Sequence, residues 1–122
     1  MGYTVIDATA VEPRDGLSGD HYYLDDAVDL DRLSIQLVEA DPGESFAPYH
    51  SHRESEEVFY VLDGHLHVET PDEEYVVAAG EWFAVEPGHP LRPFNPADAE
   101  DTVRALLLNA KRDDFDPYEP DR

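Results

Sequence analysis

The sequence predicts an all-β barrel or sandwich, and three observations carry that reading. Short apolar runs of strand-forming residues recur along the chain. Turn signals punctuate them every 8–12 residues or so, roughly the spacing of all-β folds. No convincing helix of ten residues appears in the body.

The elements follow in order. Residues 1–32 are expected to form an arm or edge strands, with Asp25 to Arg32 as a loop or one helical turn. Leu33-Ser34-Ile35-Gln36-Leu37-Val38 alternates as a half-buried strand does, and Asp41-Pro42-Gly43 ends it. Val58-Phe59-Tyr60-Val61-Leu62 is apolar on both faces and rich in β-formers, which suits a buried central strand. Asp63-Gly64 is a hairpin turn signal. His65-Leu66-His67-Val68-Glu69-Thr70 alternates again, and Pro71-Asp72-Glu73-Glu74 makes the next turn. Tyr75 to Ala78, Trp82 to Val85 and Thr102 to Leu108 complete the set, punctuated by Gly80, Pro87-Gly88 and Asn95-Pro96. The barrel is expected over 33–110. Residues 111–122, mostly charged residues and proline, read as an acidic tail. No linker or long repeat divides the 122 residues, so one domain is expected.

Composition narrows the chemistry. With 41% hydrophobic residues the chain can bury a core. The absence of cysteine excludes disulfides and thiolate metal sites. No run of apolar residues is long enough to span a membrane, and the first residues do not read as a signal peptide, so a cytoplasmic protein is expected. Against 29 acidic residues stand 8 basic ones, for a net charge of -21, and Lys111 is the only lysine. At low salt such charge repels itself. At molar salt the Debye length falls to about 3 Å and the repulsion is screened. The composition resembles that of proteins from salt-in halophiles. Without a basic patch to meet phosphate, no nucleic-acid partner is expected.

The strongest chemical signal is His50-Ser51-His52. Residues two apart in a strand share a face, and two imidazoles on one face suit a transition metal. Glu57 follows after a polar stretch, Arg53-Glu54-Ser55-Glu56, that can form a loop. A carboxyl group on an apolar barrel face needs a partner, which a metal or the two histidines would supply. Periodicity alone leaves Glu56 open as the alternative.

The segment from Gly43 through His50-Ser51-His52 and Glu57 to Gly64 resembles the first motif of the cupins: a glycine, a His-x-His pair, a glutamate, and a glycine seven positions later. That spacing selects Glu57 over Glu56. A degraded second motif runs from Gly80 through Pro87-Gly88 to Asn95, so the resemblance covers roughly residues 33–110. It implies a jelly-roll barrel, the double-stranded β-helix architecture. It also implies a pocket for a small organic ligand, and a homodimer that often exchanges edge strands.

The second motif of the family usually supplies a third histidine four residues before the asparagine. Here that position is Leu91, which cannot ligate a metal. Three arrangements compete. His50, His52 and Glu57 hold a divalent Fe, Mn, Ni or Zn with open positions, as 2-His-1-carboxylate sites do; or His89 supplies the missing nitrogen from a turn at Gly88-His89-Pro90; or no metal binds, and the three residues form a polar cluster in a ligand pocket. The first two imply a metal-dependent enzyme with dioxygenase, decarboxylase or isomerase-like chemistry. The third implies a metal-free binding or sensing module.

Phe46, Phe59, Trp82 and Leu91 are the candidate lining of the pocket. His65 and His67 share a strand face and read as surface residues, as does His21 in the arm. Arg53 and Arg92 are expected to pair with acidic neighbours, and Asp113-Asp114 to be solvated. If the charge reflects a salty cytoplasm, the melting temperature should rise from dilute buffer to molar KCl; a flat or falling curve in differential scanning calorimetry would contradict it.

Overall fold

The computed structural model describes residues 2–14, 18–111 and 113–119. Among these, ten strands follow one another: β1 Asp20–Tyr23, β2 Leu33–Ala40, β3 His50–His52, β4 Glu57–Asp63, β5 His65–Glu69, β6 Glu74–Ala78, β7 Trp82–Val85, β8 Arg92–Phe94, β9 Val103–Ala110 and β10 Phe115–Pro117. The stretch read as a loop or helical turn before β2 opens with a 3₁₀ turn at Leu24–Asp26.

One layer is an antiparallel sheet in the order β1-β2-β9-β4-β7. The other combines β6-β5-β8 with β10-β3, tied together by bridges between Ser45 and Phe94 and between His50 and Leu91. The core lies between the layers. Val38, Ala40, Phe59, Val61, Val103, Ala105 and Leu107 come from the first, and Leu66, Val68 and Val77 from the second, with Phe46 and Leu91 joining them. Burial of each large apolar side chain stabilises such a core by about 1.5–3 kcal/mol. This is the all-β jelly roll.

Register decides which residues face the interior. Directly opposed residues of antiparallel strands project to the same side. One inward row runs Ser34–Asn109–Glu57–Val85, and the next runs Tyr23–Gln36–Leu107–Phe59–Phe83. The alternation of β2 is therefore turned the opposite way from a simple core strand. Its polar members Ser34 and Gln36 are buried, while Ile35 and Leu37 take the outer face.

The middle rows of that outer face are apolar, while Asp20, Glu39, Arg104 and Asp63 make a charged row at one end. Tyr22, Leu37, Leu106, Tyr60 and Trp82 form one row, and Ile35, Leu108, Val58 and Ala84 the next. Ile6, Ala8 and Val11 of the N-terminal segment lie over part of it, beside Leu24. Trp82 is 62% exposed.

Two local features need comment. Gly64 closes the β4–β5 turn with φ +77°, and a Cβ there would come within 2.8 Å of the Thr102 carbonyl oxygen, so the turn accepts no side chain. The expected acidic tail is partly structured: β10 pairs with β3, placing Phe115 opposite His52 and Pro117 opposite His50. Arg112 and residues 120–122 of that tail lie outside the described residues.

Candidate metal centre

The two histidines come from one short strand. β3 is held on one edge by β10 and on the other by a backbone pair in which His50 N–H donates to Leu91 O (3.0 Å) and Leu91 N–H to His50 O (2.8 Å). Glu57 enters from the first residue of β4, in the neighbouring layer. His50 and Glu57 are each 3% exposed. One ligand atom from each of His50, His52 and Glu57 can be chosen so that all three lie within 4.8 Å of one another. Glu56 points to solvent, so the burial agrees with the motif spacing.

Each imidazole is oriented through Nδ1. His50 Nδ1–H donates to the Pro48 carbonyl at 2.6 Å, which leaves Nε2 with the lone pair. His52 Nδ1 faces Asp114 Oδ1 at 3.1 Å, and its Nε2 faces Glu57 Oε2 at 3.2 Å. Asn109 Nδ2 donates to the same Glu57 oxygen at 3.4 Å. Glu57 Oε1 is buried with no hydrogen-bond partner among the described residues. An orphaned buried acceptor costs about 1–3 kcal/mol. A cation beside it would remove that cost. The donor set, two imidazole nitrogens and a carboxyl oxygen, suits iron, manganese, nickel or zinc.

The two rings differ electrostatically. Burial pushes His50 below its ordinary value, against the Pro48 carbonyl and Glu57. The hydrogen bond to Glu57 raises His52, against burial and with help from Asp114. Burial alone would raise the Asp114 carboxyl, but hydrogen bonds from Ser55, Glu54 and His52 outweigh it and hold the group well below the usual carboxylate range.

A cavity of about 610 Å³ opens over this cluster. Phe46, Phe59, Pro93, Leu107 and Phe115 give it an apolar wall, and His21, Ser34, Gln36 and Asn109 a polar one. Arg14, Tyr23, Asp25 and Lys111 also contribute to its lining. Phe115 stacks on the His50 ring at 4.7 Å.

Several residues stand elsewhere than the sequence suggested. Trp82 is outside the cavity: its ring packs on Tyr60 at 4.3 Å on the outer face, and Phe83, one residue on, is the member of β7 that packs against Phe59. A one-residue shift in a strand changes the face. Leu91 lies directly opposite His50, where it fills core, and is not part of the cavity lining. His89 is exposed, hydrogen-bonded to the Pro87 carbonyl, and outside the ligand cluster. A surface role for His21 fails, since it is 4% exposed and its Nδ1 lies 2.8 Å from the Gln36 carboxamide. Asp114, expected in solvent, is 1% exposed. His65 is exposed, while His67 is half-buried, bonded to Glu74. Arg92 pairs with Glu69, as an acidic neighbour predicts, but Arg53 donates to the Asp113 and Phe115 carbonyls.

The sequence alone did not single out Ser34, Gln36, Asn109, Asp114 or Phe115. Their signal was weak: polar residues at even positions of β2 read as the solvent face, and Asp114 is far from His52 in sequence.

The cupin domain family matches residues 36–108. The chain belongs to the cupins. No curated protein matches this cupin at a significant level. Among solved structures it is similar to the polyketide cyclase RemF of Streptomyces resistomycificus, with 25% identity and a TM-score of 0.81 over 96% of this chain and 86% of that one. A putative sugar phosphate isomerase of Acidithiobacillus ferrooxidans shares 26% identity with a TM-score of 0.69, over 80% of this cupin and 62% of its own chain. A sugar phosphate isomerase of Silicibacter pomeroyi, at 20% identity and a TM-score of 0.76 over 89% and 76%, shares the fold. Among the described residues no helix is long and apolar enough to cross a membrane.

In metal-free protein, His50 should titrate below 6.5 and His52 above it, so that as pH falls His52 takes up its charge first. Because its folded value is raised, His52 adds stability that is full below about pH 6.5 and is lost as pH rises from there through the higher folded value. A two-dimensional ¹H–¹⁵N NMR titration of the rings reads the order directly, and a reversed order would contradict this electrostatic account.

Proposed function

We propose that this cupin is a metal-dependent enzyme acting on a small organic molecule held in the barrel cavity. One observation carries the reading: among the described residues Glu57 Oε1 is a buried acceptor without a donor, on a residue whose carboxyl group lies within ligand range of two imidazoles. His50, through Nε2, with His52 and Glu57 would hold the metal. Bound there, a divalent ion supplies a Lewis acid or a redox centre.

The chain's own residues do the rest. The Pro48 carbonyl fixes His50 in the tautomer that leaves Nε2 free. Asn109 donates to Glu57 and steadies the carboxyl group at the head of β4. Phe46, Phe59, Leu107 and Phe115 offer an apolar wall to the body of a ligand and keep water from it. Ser34 and Gln36, turned inward on β2, meet its polar groups. This two-sided lining favours a molecule with a hydrophobic body and oxygen or nitrogen groups along one side. The likeness to the polyketide cyclase RemF over most of the chain supports a substrate of that kind.

A second reading, a metal-free binding or sensing module, is favoured by Leu91. It stands opposite His50 where a third histidine would face the site, so among the described residues the ligand set stops at three. Metal analysis after purification without a nickel column separates the two. Near-stoichiometric Fe, Mn, Ni or Zn, lost in the His50→Ala/His52→Ala double variant, is the expected result. Protein that contains no such metal and takes none up would overturn the enzyme reading.

The outer sheet face supports a homodimer. In a chain of net charge -21, two copies meet with least repulsion through surface free of charge. The part of these rows around exposed Trp82, with half-buried Tyr60, Val58 and Leu108, is apolar surface that meets this need. The acidity supports a salt-rich cytoplasm as the setting. Light scattering in molar KCl should give a dimer, and Trp82→Asp a monomer of unchanged fold; a monomeric wild type would overturn the assembly.

A further inference from the structure

The C-terminal segment does more than cover the barrel. Asp114 is almost fully buried, and its two oxygens have separate duties. Oδ2 accepts from the Ser55 hydroxyl (2.7 Å), the Ser55 N–H (2.7 Å) and the Glu54 N–H (3.0 Å), which pins the loop between β3 and β4. Oδ1 is left to His52 Nδ1, at 3.1 Å. The backbone around it is held firmly. Arg53 N–H donates to the Asp114 carbonyl at 2.9 Å, β10 pairs with β3 directly after it, and Tyr118 closes the segment against Tyr49 with rings 4.8 Å apart.

From this geometry we infer that Asp114 is a positioning residue: its Oδ1 accepts the Nδ1 proton of His52 and so commits Nε2, the nitrogen that faces Glu57, to ligation. The inference rests on the metal reading above for its consequence, but not for its geometry. The two imidazoles are then oriented by different devices. His50 donates to a neutral backbone carbonyl two residues away, and His52 to a carboxyl group 62 residues away. A carboxyl partner fixes the tautomer and ring orientation and makes the ring a stronger donor; loss of such a partner typically weakens metal affinity about 10–100-fold. Asp114 also lies outside the span that matches the cupin family, so a segment added to the family barrel completes its site.

The test separates positioning from loop support. NMR of ¹⁵N-histidine-labelled protein should show a slowly exchanging proton on His52 Nδ1, both metal-free and zinc-loaded. Asp114→Ala should lose that protection and bind zinc about 10–100-fold more weakly in chelator competition. Asp114→Asn, closer in shape, should also bind zinc more weakly. Ser55→Ala, which removes only an Oδ2 bond, should leave both readouts unchanged. An unprotonated Nδ1 in wild-type protein would sink the inference without any variant. Equal losses in Ser55→Ala and Asp114→Ala would reduce Asp114 to loop support and overturn it as well. Should wild-type protein bind no zinc at all, the metal reading fails, while the ring-proton measurement still decides the role of Asp114.

Discussion

Glu57 sets the central constraint. Its carboxyl group is taken out of water at the head of a strand whose inward side chains are otherwise hydrocarbon, Phe59 and Val61, and such a group must find partners or destabilise the barrel. One oxygen finds His52 and Asn109; the other finds no partner among the described residues. The polar row Ser34–Asn109–Glu57, drawn across three hydrogen-bonded strands, puts Asn109 and Ser34 at its level. The histidine strand closes over it from the opposite layer. The orphaned oxygen is a local cost that binding would relieve, the pattern expected where function and stability compete.

The segments on either side of the family barrel finish what it begins. β1 brings His21 and Tyr23 to the cavity wall, where His21 pairs with Gln36. The C-terminal segment brings Asp114 to His52 and Phe115 to the face of His50. The barrel itself contributes the candidate ligands and the aromatic floor. Cupins that share this barrel but differ in their end segments would present different walls to a ligand, which is how one fold can host many activities.

The charge is arranged as carefully as the site. The acidic residues concentrate in turns and loops and on exposed strand positions, with a few paired to the rare cations, as in Arg104 with Glu39 and Asp63. The outer face of the five-stranded sheet holds almost none across its middle rows. In the proposed dimer, those rows would keep the charge away from the contact.

How much of this was legible in the sequence varies with the length scale of the interaction. The strand-and-turn pattern settled the fold class, because period-two alternation and Asp-Gly or Pro-Gly turns are local. The spacing from Glu57 to Gly64, matched to the cupin motif, favoured Glu57 over Glu56, because a motif encodes relative positions along a short stretch of chain. Which face of β2 turns inward was not legible: alternation gives the period but not its phase, and the phase depends on pairing with β9. The same ambiguity put Trp82 in the pocket on paper and outside it in space. Asp114 was beyond reach, since nothing local distinguishes a buried aspartate from its solvated neighbour Asp113. The sequence by itself determined an all-β cupin with three candidate ligands. Only the tertiary structure decided which polar residues face the cavity and which carboxyl group orients His52, because both depend on contacts between strands far apart in the chain.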